Sequence, residues 1–293
     1  MLRWRLLLGT LLTAALVGLC WLDCHAQFPG AWLFPLALGF TLLATHEVLA
    51  LAAAAGLRPV PWPVYAGNLL LVVSPWLPRT FADNTSLAAL DAGTWALLAL
   101  GAGLILIFVA EIRRYQRPGG AVANIASALL ALVYVGVMFH FVVRLRLSWG
   151  IAALGSMLLI VKASDVGAYT VGRLIGRHKM APRLSPGKTI EGCAGALLFA
   201  ALAAWLCWAW LAAGPAGPRS GLPAWLGWLI YGILLGIAGM LGDLTESLLK
   251  RDVGRKDSSD WLPGFGGVLD IVDSLLLAAP IAWACWQFGL LGR

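Results

Sequence analysis

The sequence predicts an all-α polytopic membrane protein with about nine transmembrane helices, its N-terminus cytoplasmic and its C-terminus outside. Three observations predict this. Of 293 residues, 60% are hydrophobic and only 12% charged, where a soluble domain carries about a quarter charged residues. Mean hydropathy is +0.84. Apolar runs repeatedly approach the ~20 residues that a helix needs to cross a bilayer.

Hydropathy places the spans at approximately 5–22, 30–55, 63–78, 88–111, 121–142, 148–171, 190–213, 222–246 and 270–289. The first follows Arg3 and Arg5 but has no A-x-A-like cleavage site after it, so it reads as a retained span. The third is short and carries Pro63 and Pro75, which predicts a tilt, a kink or a re-entrant course. With the N-terminus inside, inner segments hold 15 Lys or Arg and outer ones 5. Lys162 within a span completes the total of 21. That asymmetry sets the orientation and accounts for the net charge of +7, so no nucleic-acid partner is expected. The absence of a transit segment points to a bacterial inner membrane.

Five cysteines, Cys20, Cys24, Cys193, Cys207 and Cys285, are odd in number and lack zinc-like spacing, so they read as small buried hydrophobes. Asn68 and His140 read as packed polar groups, and His46, Glu47 and Glu111 as hydrogen-bonded pairs within the helices. Chemistry is sparse before residue 160. The expected division is therefore a packing half, residues 1–145, and a catalytic half, residues 146–293.

Residues 242–273 concentrate the charge. Seven of the fourteen acids of the chain fall here, with four Lys or Arg, between two apolar stretches. Charge clustered at a bilayer marks an ion, substrate or proton site. On a helix Asp243, Glu246, Ser247 and Lys250 share one face, and Asp270, Asp273 and Ser274 repeat that spacing. Asp243, Asp270 and Asp273 border apolar helix without a basic neighbour at helical spacing, and clustered carboxylates suit magnesium with substrate phosphates. Lys250, Arg251, Arg255 and Lys256 would balance phosphate charge. Gly266 and Gly267 would let backbone approach a ligand.

Upstream, Ser185-Pro-Gly187-Lys188-Thr189 invites a P-loop reading, which fails because Pro182 stands where the motif needs glycine and no strand is expected before it. Lys188 with two hydroxyls at a helix start still makes an anion site, and Ser185 or Thr189 also fits as the helix cap. Asp165 either pairs with Lys162 or Arg173 or serves the site. Gly172 and Gly176, four apart, bare one helix face for a close neighbour.

Three stretches in order, S-D-V-G-A-Y-x-x-G-R from Ser164, L-S-P-G-K-T-I-E-G from Leu184, and S-L-L-K-R through L-P-G-F-G-G-V-L-D-I-V-D to Asp273, resemble the phosphatidate cytidylyltransferase (CDP-diacylglycerol synthase) family. The resemblance spans roughly residues 160–280. It implies an integral membrane nucleotidyltransferase that joins CTP to phosphatidic acid, releases pyrophosphate, acts at the cytoplasmic face and forms a homodimer. It implies magnesium, with a second, monovalent cation such as K+ also admitted. It makes Asp243, Asp270 and Asp273 the metal ligands and Asp243, Asp270, Lys188, Lys250 and Arg251 the catalytic set. Ser185, Thr189, Asp165, Tyr169, Lys256, Asp257, Gly266 and Gly267 fall to substrate binding. Two positions depart from the family: Phe265 stands where His is common, and Ile271 where Arg is common. Neither can do that residue's polar work. The rival readings are another CTP-using lipid enzyme, such as a polyprenol kinase or an archaeal-type lipid cytidylyltransferase, and a cation-coupled transporter.

Overall fold

The computed structural model describes residues 2–81, 87, 90–211, 221–259, 261 and 266–291, with side chains from residue 9 onward apart from residue 12. Phe265, Asp260 and Arg219 lie outside the described residues. The helices are α1 (Leu2–Cys24), α2 (Phe34–Ala54), α3 (Pro61–Val73), α4 (Ala92–Arg114), α5 (Ala121–Ala131), α6 (Met138–Ile175), α7 (Ile190–Leu211), α8 (Ala224–Asp252) and α9 (Leu269–Gln287). Six helical runs are long and apolar enough to cross a membrane, so the chain is a polytopic α-helical membrane protein.

The fifth and sixth expected spans are a single helical run, Ala121–Ile175, of 55 residues. At ~1.5 Å per residue that run would be about 80 Å long, against a hydrocarbon core of ~30 Å. Two local devices interrupt it. Leu132–Val137 is a π-turn joining α5 to α6, and Gly150 within α6 has φ 81 and ψ −174, a conformation open essentially to glycine alone. The third expected span is also modified. Its prolines at the start of α3 cost no helical hydrogen bond, and Pro75 opens a 3-10 turn, Ser74–Trp76, before a single turn Leu77–Thr80.

The chain forms two compact units. The first comprises Met1–Leu147 with Asp252–Ile271. In it α3 lies against α2, α4 and the π-turn, around buried Ala44, Val64, Leu71, Ile107 and Leu132. Asn68 is fully buried and donates to Thr45 Oγ1 at 2.7 Å. His140 is a core histidine with its Nδ1 2.9 Å from Ser74 Oγ. The stretch after residue 142, expected as an outer loop, is helical, and Arg146 in it turns inward. Its Nε lies 2.7 Å from Asp23 Oδ2 at the end of α1, and the same carboxylate accepts from the amides of Gly30 and Trp32.

The second unit comprises Ser148–Arg251 and Val272–Arg293. Its helices approach at glycine. The backbones of Gly172 on α6 and Gly192 on α7 meet as the expected bare face requires, and a Cβ on Gly176 would press on Thr189. Between α6 and α7 the sequence expectation of a loop is corrected: Lys179–Ala181 (β1) pairs antiparallel with Ser185–Thr189 (β2). The hairpin is a departure from an all-α chain. All five cysteines are free.

Candidate active site

In the second unit, β2 carries the S-P-G-K-T residues on a strand and hands them directly to α7. Thr189 does cap that helix: its Oγ1 accepts from the amide of Gly192 at 3.1 Å. Glu191 reaches back to the other end of the hairpin, accepting from the Arg177 and His178 amides and meeting His178 Nδ1 at 2.6 Å. The hairpin is thus fastened at its base, and Lys188 extends from it. Lys188 Nζ lies 2.7 Å from Asp243 Oδ2 on α8. That ammonium is shielded from solvent without an aligned hydrogen bond, so the contact is a charge pair held by position.

Asp243 stands where α8 touches α9. A Cβ on the preceding Gly242 would collide with the carbonyl oxygen of Asp273 and with Ser274 Cα. Only a glycine lets the two helices carry Asp243 and Asp273 to adjacent positions. Asp273 is 6% exposed. Ser274, the next residue, has its Oγ 3.4 Å from both Lys162 Nζ and Asp165 Oδ2, and Lys162 pairs with Asp165 at 3.2 Å. Asp165 therefore belongs both to an ion pair and to this cluster. Tyr169, one turn on, is exposed and hydrogen-bonded to Arg173.

The expected polar face of α8 resolves into two pairs. Ser247 Oγ is 3.4 Å from Asp243 Oδ1, and Lys250 meets Glu246 at 2.7 Å with both largely buried. Arg251 Nε donates to the carbonyl of Leu184, just before Ser185, at 3.2 Å. The turn of the hairpin is thereby tied to the end of α8.

Lys256, Asp257, Gly266, Gly267 and Asp270 lie in the segment that packs with the first unit. Lys256 and Asp257 are exposed. Asp270 is drawn into its own loop: its Oδ2 accepts from the amides of Ser258 at 2.9 Å and Gly267 at 2.8 Å, and lies 2.6 Å from Ser258 Oγ. The bond from Gly267 ties the residue two before α9 to the first turn of that helix. A Cβ on Gly266 would meet the Asp270 carboxylate, and one on Gly267 would meet Ser258 Oγ and both Glu47 oxygens. The space beside these glycines is filled by carboxylates of the chain itself.

Glu47 is the residue that sequence reading placed in the wrong company. Its neighbour His46 bonds Tyr65 instead, while Glu47, 3% exposed, accepts from the serines and amides of residues 258–269. Only its occurrence as an acid within an apolar span could have flagged it.

Among the described residues no three His, Cys, Asp or Glu side chains form a ready-made metal cage. Magnesium does not require one, since it is held by one or two carboxylates with waters and substrate phosphates. Asp243 and Asp273, hard oxygen donors brought together by the missing Cβ of Gly242, suit that ion.

A family model described as the cytidylyltransferase family matches residues 5–288. The chain is 29% identical to a phosphatidate cytidylyltransferase of Synechocystis over 289 residues, covering 87% of this chain and 88% of the relative. It is 32% identical to one of Mycobacterium bovis over 273 residues, 91% and 84% of the two chains. It is 35% identical to one of Staphylococcus saprophyticus over 198 residues, 65% and 71%. The match extends through both units and through every motif stretch above, and the chain belongs to the cytidylyltransferase family.

Proposed function

We infer that the chain is a phosphatidate cytidylyltransferase: it transfers the cytidylyl group of CTP to phosphatidic acid, giving CDP-diacylglycerol and pyrophosphate for phospholipid synthesis. The observation that carries this reading is the Lys188–Asp243 pair, seated beside the Asp273 backbone in a chain of this family. Three of its relatives bear that name.

The phosphate oxygen of phosphatidic acid attacks the α-phosphorus of CTP in line, the new P–O bond forms, and the bond to the β-phosphate breaks. A phosphate monoester has a second pKa of about 6 and is already ionised near neutral pH, so the reaction calls for no side-chain base where Phe265 replaces the usual histidine. Lys188, held by the fastened hairpin, stabilises charge on the phosphates. Ser185 and Thr189 flank it on β2. Lys250 and Arg251 fix the end of α8 and, with Lys256, Asp257, Asp165 and Tyr169, contribute to substrate binding. Magnesium, when bound, would neutralise the triphosphate and polarise the transferring phosphorus. Asp243 and Asp273 would hold it, with Asp270 assigned to the same role because it lies one turn before Asp273 on α9.

We also propose nine passes, counting α1, α3 and the two sides of Gly150 separately. The N-terminus and the charged loops then face the cytoplasm of a bacterial inner membrane, and two copies of the chain form a homodimer. Single cysteines introduced at residues 219 and 256 should label from opposite sides of sealed cells. The activity is tested with purified protein, phosphatidic acid, magnesium and CTP labelled at either phosphorus. Label from the α position entering lipid sustains the reading. Label from the γ position would make the protein a kinase, and no lipid label overturns the assignment.

A further inference from the structure

Glu47 lies in α2, in the part of the chain where the motifs are absent, yet its carboxylate organises the loop that carries one of them. Oε1 accepts from Ser259 Oγ at 2.9 Å and from the Val268 amide at 2.9 Å. Oε2 accepts from Ser258 Oγ at 2.9 Å and from the Leu269 amide at 2.7 Å. A carboxylate offers four acceptor positions, and a donor group faces each of them. Two of the donors are the amides of Val268 and Leu269 at the N-terminal end of α9, where a negative charge is favoured. The other two are hydroxyls from the opposite end of the same loop. One buried group therefore clamps both ends of residues 258–269, and among the described residues no cation pairs with it.

The clamp leads directly to Asp270. Ser258, whose hydroxyl lies against Glu47, gives its backbone amide to Asp270 Oδ2 and places its Oγ 2.6 Å from that atom. The single hydroxyl hydrogen serves one carboxylate at a time, and the amide holds Asp270 in either case. Gly267, which cannot bear a Cβ because Glu47 and Ser258 occupy the space, gives its amide to Asp270 as well. These three donors to Asp270 thus belong to residues packed against Glu47.

We propose that Glu47 is a positioning residue for the cytidylyl transfer: by clamping residues 258–269 it sets the orientation of Asp270 and the start of α9. This rests on the assignment of Asp270 to the metal and phosphate site. Glu47→Gln is not a silent isostere, because its NH2 group would face two donors, and Glu47→Ala removes all four acceptors.

The test uses the full-length protein in detergent, with Glu47→Gln, Glu47→Ala and Asp270→Asn. Glu111→Gln serves as control, since it removes another buried carboxylate of the same unit, one paired with Arg114 rather than with the loop. Amide hydrogen exchange is read first, without nucleotide or metal. In both Glu47 variants exchange at the amides of Ser258, Gly267, Val268 and Leu269 should rise about tenfold or more while α4 stays as in the parent protein. Turnover should then fall about 100-fold, as for a misplaced reacting group, with a higher magnesium concentration for half-maximal rate and a nearly unchanged KM for CTP. The Glu111 control should keep its turnover. Unchanged exchange in the loop overturns the clamp, and raised exchange with parental turnover and magnesium dependence overturns the positioning role. If Asp270→Asn retains activity, the assignment of Asp270 fails instead, an outcome that the exchange data separate from failure of the clamp.

Discussion

Lys188 on β2 and Asp243 on α8 face each other at 2.7 Å between Nζ and Oδ2. In the proposed site this pair would offer a cation and an anion to ligands of opposite sign. Lys188→Met should lower turnover about 100-fold, the loss typical of a donor that stabilises developing charge. Lys188→Arg should recover only part of it, because a planar fork does not replace a compact ammonium. Initial rates at saturating CTP and phosphatidic acid measure both.

Asp273→Asn and Asp243→Asn should each raise the magnesium concentration needed for half-maximal rate. A carboxamide offers one neutral oxygen where a hard cation prefers charged ones. A metal titration of the rate distinguishes this from loss of folding, which would leave the half-saturation point of the surviving enzyme unchanged.

Gly242→Ala places a methyl group against the Asp273 carbonyl and Ser274 Cα. Backbone cannot rotate away as a side chain can, so α8 and α9 must separate at this point. We expect a destabilisation of about 1–3 kcal/mol from overpacking, read as a lowered midpoint of thermal unfolding in detergent, together with a turnover defect larger than that of Gly155→Ala, whose site is open.

The Asp23–Arg146 pair is buried on both sides, with side-chain exposures of 0% and 9%. Removing one partner, as in Asp23→Asn, should cost about 3–5 kcal/mol because the other charge is left stranded. The double variant Asp23→Asn with Arg146→Met should be less damaged than the single one. Thermal unfolding of the parent, Asp23→Asn, Arg146→Met and the double variant closes the cycle.

Asp91 caps α4, and hydrogen bonds from the Thr94 hydroxyl and amide hold its carboxyl below the usual range. A depressed pKa stabilises the fold above the unfolded-state value, and that contribution is lost as pH falls through the folded-state value. Asp91→Ala should therefore cost about 1 kcal/mol near neutral pH and progressively less as the medium becomes more acidic than the ordinary carboxylate pKa. Unfolding midpoints of both proteins across an acid series would show the two curves converge.

Much of this architecture could be read from residue pattern because its causes are local. Apolar length announces most of the helices, and the spacing of Gly172 and Gly176 announces the face on which α7 lies. The acids at residues 243 and 273 stood out because charge beside a bilayer is costly. The hairpin was illegible for the opposite reason: three and five residues of strand, one containing Pro186, carry too little alternation to register. Arg146 looked like a loop cation until its partner 123 residues away was known. Glu47 was misread for the same reason, since each of its four donors lies more than 200 positions along the chain.

The paired glycines at residues 266 and 267 bear on how substitutions there are interpreted. A small residue beside a reaction centre is usually taken as room left for the incoming molecule, and a bulkier replacement that kills the enzyme is then scored as blocked entry. Here the vacancy is the mould of two internal acids. An inactive Gly267 variant would accordingly report that the anionic nest failed to assemble, and its remedy would be a second-site change that shortens or relocates the acid at position 47, rather than a smaller substrate.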